Sequence, residues 1–393
     1  MVFSTVLSTA DPGEAQSAVE TNAQETWKRY WVGFNRVAGI GGARLRALLN
    51  AFGELKSAWN ASSDDLRMAG LGPQTIQSLL KARATLDLQG ELDRITGLGF
   101  RVVTWNDEDY PPGLREIDSS PPVLHVWGGF RDQDRWAVAV VGTRRPTAYG
   151  LAVARDLATT LAASGVTVVS GLARGIDATS HKAALDAGGR TIAVLGSGLD
   201  RIYPPEYRAL AGSIASQGAV ISDFPLGTAP EARNFPPRNR IITGLAVALV
   251  VVEAGEGSGA LISADFAAEQ GRDVFAVPGS IHSRASRGAN RLIRAGARPI
   301  LSPDDLLEAL NMHVVARQEE AAQELPEDEV ERSVLEALGG DPVHVDDLGL
   351  RCNLPPAQIS ASLAMLELKG RARQVGGMHY VRVRELGAGY RVE

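Results

Sequence analysis

Residues 137–150 read AVAVVGTRRPTAYG: an unbroken apolar, largely β-branched run stops at Gly142, passes two arginines and leads into a helical segment. Because the run does not alternate apolar with polar, both of its faces are buried, as in a strand of a parallel sheet covered by helices on either side. Runs of the same kind recur between helical segments, in VTVVS (166–170), TIAVL (191–195), AVIS (219–222), VALVVVE (247–253) and DVFAVPG (273–279). The pattern predicts a doubly wound α/β domain with a mostly parallel sheet, within residues 100–312.

In such a sheet the loops leaving the strand C-termini gather along one edge, where ligands bind. Here they are glycine-rich: VGTRRPTAYG (141–150), SGLARGID (170–177), LGSGLDRIYPPE (195–206), EAGEGSGALIS (253–263) and VPGS (277–280). Glycine lets backbone amides approach a ligand and a helix start adds partial positive charge, so the set together points to an extended anionic ligand. Any one of these loops could need its glycine merely to reverse the chain. Gly142 and Thr143 lead into Arg144 and Arg145, while RNFPPRNRII (233–242) sets Arg233, Arg238 and Arg240 around Phe235 and Asn239. Arginines for phosphates, an aromatic ring for stacking and an amide for base edges suit a groove for a single nucleic-acid strand. Arg238 and Arg240 also fit a salt-bridge network at a helix start. Gly257, Ser258 and Gly259 complete a phosphate cradle on the same edge.

The charge distribution agrees with an anionic partner. The whole chain of 393 residues carries a net −6, yet residues 135–300 hold 17 arginines and one lysine against 12 acids, a local +6 between acidic flanks. Cys352 is the only cysteine, which leaves no disulfide and no cysteine cluster for zinc and suits a reducing cytoplasm. The longest uncharged apolar stretch, 241–252, is too short to span a bilayer, and no export signal is readable. No Walker-type GxxxxGK[ST] stretch, dinucleotide GxGxxG or HExxH motif is present, so no cofactor and no metal are expected. His181, a lone histidine on a helix without a nucleophile at readable spacing, reads as structural, packing against Asp177.

Around the sheet the composition changes. Residues 1–24 read as a disordered tail, and 25–99 as an all-α domain whose glycine breaks, VAGIGG (37–42) and MAGLGP (68–73), resemble helix-hairpin-helix units of sterile-alpha-motif-like domains. Two Pro-Pro pairs mark 100–134 as a connector with an edge strand or two and solvated acids. After a polar linker at 313–328, residues 329–393 read as three helices and a hairpin, the order of a winged helix. From Pro326 onward there are eight basic and 11 acidic residues, and PPAQISASLAMLELKG (355–370) has no cation before Lys369. A helix that reads DNA normally presents basic side chains, so this module favours protein contact, with only Arg371, Arg373, Arg382 and Arg384 placed to meet phosphates.

The ordered series VGTRRPTAYG, SGLARGID with HKAAL, LGSGLDRIYPPE, FPPRNRIITGL, GSGALISADFAAEQGRDVFAVPGS and GANRLIRAGA resembles the DNA-processing protein A (DprA/Smf) family across residues 100–300. The resemblance implies an extended Rossmann-like domain that binds single-stranded DNA, protects it during natural transformation, loads a RecA-type recombinase and forms a homodimer. It implies no catalysis, and it assigns phosphate contact to Arg144 and further contacts to Ser170, Gly171, Phe235, Arg238, Asn239 and Arg240. Tyr207 stands where the family more often has Asn, which weakens any contact from that loop. Two rivals remain. The sheet also resembles nucleoside-monophosphate phosphoribohydrolases, with Asp265 and Glu269 the acids nearest to their catalytic position, and a winged helix could instead read duplex DNA.

Overall fold

The computed structural model describes residues 27–310, 329–338, 343–368, 371–376 and 378–382. The tail at 1–24, the linker at 313–328 and Arg384 lie outside the described residues. Two compact units divide the chain, Met1–Pro303 and Asp304–Glu393.

Among the described residues, the first unit begins with six helices, Lys28–Asn35, Gly42–Phe52, Leu55–Asn60, Ser63–Met68, Pro73–Thr85 and Leu88–Gly97. Their breaks follow local chemistry. Gly39 and Gly70 adopt left-handed φ of 88° and 89°, Ser62 caps Ser63–Met68 by accepting from Asp65 N–H, and Pro73 stands in the first turn of its helix, where its missing N–H costs nothing. Trp31, Phe34, Leu45, Leu48, Leu66 and Leu79 form a core continuous with the side chains under the sheet, among them Leu172, Leu195 and Ile214. The helices and the sheet therefore share one compact unit.

The sheet has nine strands: β1 (Arg101–Thr104), β2 (Val123–Gly128), β3 (Val138–Val141), β4 (Val168–Ser170), β5 (Thr191–Val194), β6 (Ala219–Ser222), β7 (Ala248–Val251), β8 (Asp273–Ala276) and β9 (Arg298–Pro299), in the order β1-β2-β6-β5-β4-β3-β7-β8-β9. From β6 to β9 every neighbouring pair is parallel; β1–β2 and β2–β6 are antiparallel. Every residue of β3 to β7 is buried, which is why these strands read as uninterrupted apolar runs. The connector acids are not all solvated. Asp107 pairs with Lys28 at 2.9 Å and accepts from Thr104, and Asp109 pairs with Arg101.

The turn into the parallel sheet is fastened by a buried ion pair. Arg190 reaches both carboxylate oxygens of Asp134, at 2.6 and 2.8 Å, and donates to the carbonyls of Gln217 and Gly129. The bidentate geometry offsets the desolvation of both charges.

In the second unit, helices Glu329–Ala337, Val345–Cys352 and Pro356–Leu368 pack with a small antiparallel sheet, ordered β10 (Val343–His344), β12 (His379–Arg382), β11 (Ala372–Gly376). This is a winged helix. The exposed positions of Pro356–Leu368 include Gln358, Ser360 and Glu367 but no cation, while Arg373 and Arg382 are exposed on the hairpin.

Asp134→Ala leaves the Arg190 guanidinium buried without its carboxylate, and the expected loss is about 3–5 kcal/mol. All six tryptophans precede β3, so urea unfolding followed by tryptophan fluorescence reads this unit; a loss under about 1 kcal/mol would refute the role given to the pair.

Candidate nucleic-acid interface

Strand order places β3 beside β7, although β4, β5 and β6 lie between them in sequence, so the chain reverses its winding between these two strands. Crevices at such reversals sit at the strand C-termini. Here the loops after β3 and β7 border a pocket of about 820 Å³.

Glu253, just beyond β7, joins the two loops. Its carbonyl accepts from Thr143 N–H at 2.7 Å, and its carboxylate accepts from Thr147 N–H at 2.9 Å and Thr147 Oγ1 at 2.7 Å. Gly142 permits this approach, since a Cβ there would meet Ile176 at 2.5 Å and the Glu253 carbonyl at 3.0 Å. Thr147 in turn caps helix Ala148–Ala163 by accepting from Gly150 N–H. Between the two tied threonines, Arg144 and Arg145 stay exposed on the pocket rim.

Arg238, in helix Phe235–Gly244, forms the floor and is only 5% exposed. It donates to the Gly171 carbonyl at 2.8 Å and to Asn239 Oδ1 at 3.3 Å, and its Nε has no partner. Burial lowers its pKa to about 10, against the pull of the nearby Asp177 carboxylate, so it remains cationic at neutral pH. Asp177 accepts from the Gly171 and Ala173 N–H groups; burial raises its pKa while Arg238 opposes the rise. A Cβ on Gly171 would strike the Arg238 guanidinium. Leu172 next to it holds φ at 55°, an uncommon backbone state for a branched residue, inside the buried turn.

The aromatic wall is a pair. Phe235 and Tyr203 have ring centroids 5.8 Å apart at 41°, and the guanidiniums of Arg144 and Arg238 lie 5.3 and 5.9 Å from the Phe235 ring. Opposite, Gly257, Ser258 and Gly259 line the pocket at the start of helix Gly259–Glu269, which Ser258 caps through Ala260 N–H. Asn239 donates to the Gly259 carbonyl and so ties the two helices together.

The structure thus brings Gly142, Thr143, Arg144, Arg145, Phe235, Arg238, Asn239, Gly257, Ser258 and Gly259 to one pocket. It does not bring the other four there. Ser170 is buried and donates to the Val140 carbonyl, and Gly171 supports Arg238 from below. Arg240 is held by Asp223 at 2.8 Å, and Arg233 is paired with Glu231 on the outside. Tyr207 lies beneath Lys182, outside the pocket lining. Glu253, Asp177 and Tyr203 are additions to the sequence reading, and Glu253 left one signal, a lone acid ending the run VALVVVE. Asp265 and Glu269 are exposed and do not line the pocket. Among the described residues no group of three or more His, Cys, Asp or Glu is placed to hold a metal, and no helix is long and apolar enough to cross a membrane.

The family model for DNA recombination-mediator protein A matches residues 101–311, and that for the DprA winged helix domain matches 318–378. Protein Smf of Synechocystis sp. is 37% identical over 390 residues, covering 90% of this chain and 98% of that protein. The DNA processing protein DprA of Bacillus subtilis is 42% identical over 213 residues, 54% of this chain and 72% of its own. The X-ray structure of DNA processing protein A from Streptococcus pneumoniae is similar with a TM-score of 0.63 at 32% identity, over 71% of this chain and 97% of that one.

His181 hydrogen-bonds Thr191 at 2.7 Å instead of Asp177, and it is fully buried. Burial, reinforced by Arg238, pushes its pKa down to about 3; burial and Arg36 push His125 down to about 4. Unfolded, each titrates near 6.5. The unfolded chain therefore binds more protons below that pH, and stability present above pH 6.5 is lost as pH falls toward the folded values. We expect the unfolding free energy of the first unit to drop between pH 7 and pH 5, by on the order of 1 kcal/mol per pH unit for each histidine. His181→Gln should remove a large share of that slope. A flat profile in urea titrations across this range would contradict the assignment.

Proposed function

The chain belongs to the DNA recombination-mediator protein A (DprA/Smf) family, a family of DNA-processing proteins, and on that premise we propose that its pocket binds single-stranded DNA and holds it without cutting it. One observation carries the reading: a buried cation, Arg238, and an exposed one, Arg144, lie near the same aromatic ring in a pocket that the glycine loop 257–259 also lines. Guanidiniums neutralise phosphates, and the Phe235–Tyr203 pair offers a stacking surface for an unpaired base. Paired bases are already stacked on their neighbours and cannot use it. The exposed face of Pro356–Leu368 carries Glu367 and no cation and so gives a duplex little to hold, which supports the single strand as ligand.

The remaining roles rest on the family. We read the protein as a cytoplasmic homodimer that protects incoming strands in natural transformation and passes them to a RecA-type recombinase. Joining two pockets raises apparent affinity for a long strand through effective concentration. The exposed positions of Asp265 and Glu269 favour a scaffold over a phosphoribohydrolase, and incubation with AMP should release no adenine.

Fluorescence anisotropy of labelled oligo-dT and a matched duplex at two salt concentrations tests the pocket. Binding should be single-strand selective, with a logarithmic salt slope of about −0.7 for each phosphate neutralised. Arg144→Ala should reduce that slope by about one phosphate's share, and Phe235→Ala should cost about 1–3 kcal/mol. Preference for duplex, or indifference to both substitutions, would overturn the reading.

A further inference from the structure

Three of the six tryptophans, Trp27, Trp31 and Trp105, meet at the start of the first helix. Trp27, Tyr30 and Trp31 recur at i, i+3 and i+4 in WKRYWVGF (27–34), the spacing of one helix face. Such a stripe is ordinarily core, and Trp31 is only 2% exposed. It lies nearly perpendicular to Trp27 at 6.2 Å and to Trp105 at 6.1 Å, and both of these outer rings stay half-buried. Trp27, Tyr30 and Trp31 line a pocket of about 280 Å³, near the lower limit of roughly 300 Å³ for ligand sites, so it suits a single planar group.

The cations around this pocket outnumber the acids left unpaired. Arg29 lies 5.1 Å from the Tyr30 ring and donates to its hydroxyl, Arg46 lies 4.8 Å from Trp105, and Lys56 is exposed on the pocket lining. None of the three has a carboxylate partner among the described residues. Glu54 is the one acid in the lining, and Asp107, beside the lining residue Asn106, is neutralised by Lys28 at 2.9 Å.

The pocket lies on the same sheet edge as the one at Phe235. β1 and β2 are antiparallel, as are β2 and β6, so β1 runs parallel to β6 and ends on the edge where the strand C-termini collect. Asn106 comes two residues after β1, and Lys28 pins the helix beside it by donating to the Val102 carbonyl at 3.1 Å. Five strand spacings of about 4.8 Å separate β1 from β3, roughly 24 Å, or about seven nucleotides at the rise of a stacked strand and fewer when it is stretched. The loop after β5 falls between the two pockets and carries Arg201, exposed and without a carboxylate partner among the described residues.

We propose that this aromatic pocket holds a second unpaired base of the strand bound at Phe235, with Arg29 and Lys56 on the adjoining phosphates and Arg201 on the path between. The proposal rests on the pocket reading above. A strand too short to cross the sheet uses the first pocket alone, whereas a longer one is stacked at two points.

The test compares oligo-dT of about five and about fifteen nucleotides on the full chain. No tryptophan lines the pocket at Phe235, so the short strand should leave tryptophan emission unchanged. The long strand should quench it and bind at least about fivefold more tightly, the smaller effect of one stacked base. Trp27→Ala should lose that gain while short-strand affinity stays within about twofold. Trp27→Phe keeps a ring and should keep the gain with a smaller quench. Lys56→Glu, a change on the exposed surface, should weaken only the long strand and lower its salt slope by about 0.7. If the short strand binds and both Trp27→Ala and Lys56→Glu keep the full gain with length, the second pocket is refuted and the first stands. A wild type that fails to bind even the short strand refutes the pocket at Phe235, and this proposal with it. A changed oligomeric mass of Trp27→Ala in sedimentation, with strand binding intact, would show that the pocket holds protein and would also overturn the proposal.

Discussion

The pocket depends on a carboxylate that never enters it. Strands β3 and β7 are neighbours in the sheet but distant in sequence, so nothing local holds their loops at a fixed separation. Glu253 does so, taking Thr143 through its carbonyl and Thr147 through its carboxylate. Hydrogen bonds to an ionised acceptor offset much of the cost of burying it. Gly142 and Gly150 are small because a side chain at either position would occupy the space of Ile176 or of Glu253 itself. Arg144 and Arg145 lie between the two fastened residues, so their direction follows from the latch.

A second constraint works from below. Arg238 is held by the Gly171 carbonyl, and the turn carrying that carbonyl is shaped by Asp177 accepting from two of its amides. Burial reduces but does not remove the tendency of Arg238 to stay charged, and the unpartnered Nε leaves donor capacity unused. A cation in low dielectric interacts more strongly with an arriving anion than one on the surface, where salt screens it. The net −6 of the whole chain is therefore no obstacle to a polyanion, since the field at the pocket is set by charges within a Debye length.

Much of this architecture was readable from the chain. The parallel sheet was visible because burial on both faces leaves no polar residue in β3 or β7, and Gly142 followed by two arginines at a strand end marked the edge that carries the pocket. What escaped were pairings set by tertiary distance. Arg240 and Arg238 lie two residues apart on one helix, yet Asp223 captures the first and not the second. Ser170 and Gly171 were expected to contact the ligand, but neither lines the pocket: Ser170 donates to the Val140 carbonyl and the Gly171 carbonyl holds Arg238. Tyr203 sits in a proline-rich loop with no periodicity to aim it, and only the fold brings it against Phe235. His181 meets Thr191 on the strand its helix packs against, a contact that helical spacing to Asp177 concealed.

Ultraviolet cross-linking of oligo-dT to the full chain, with the attached residues located by mass spectrometry, tests the placement of the strand most directly. Cross-links at Phe235 and Tyr203 are the predicted result, because an unpaired base stacked in the pocket touches those rings. Cross-links confined to the winged-helix hairpin around Arg373 and Arg382, or to Trp27 and Tyr30 of the helical region, would contradict it and move the DNA to another surface.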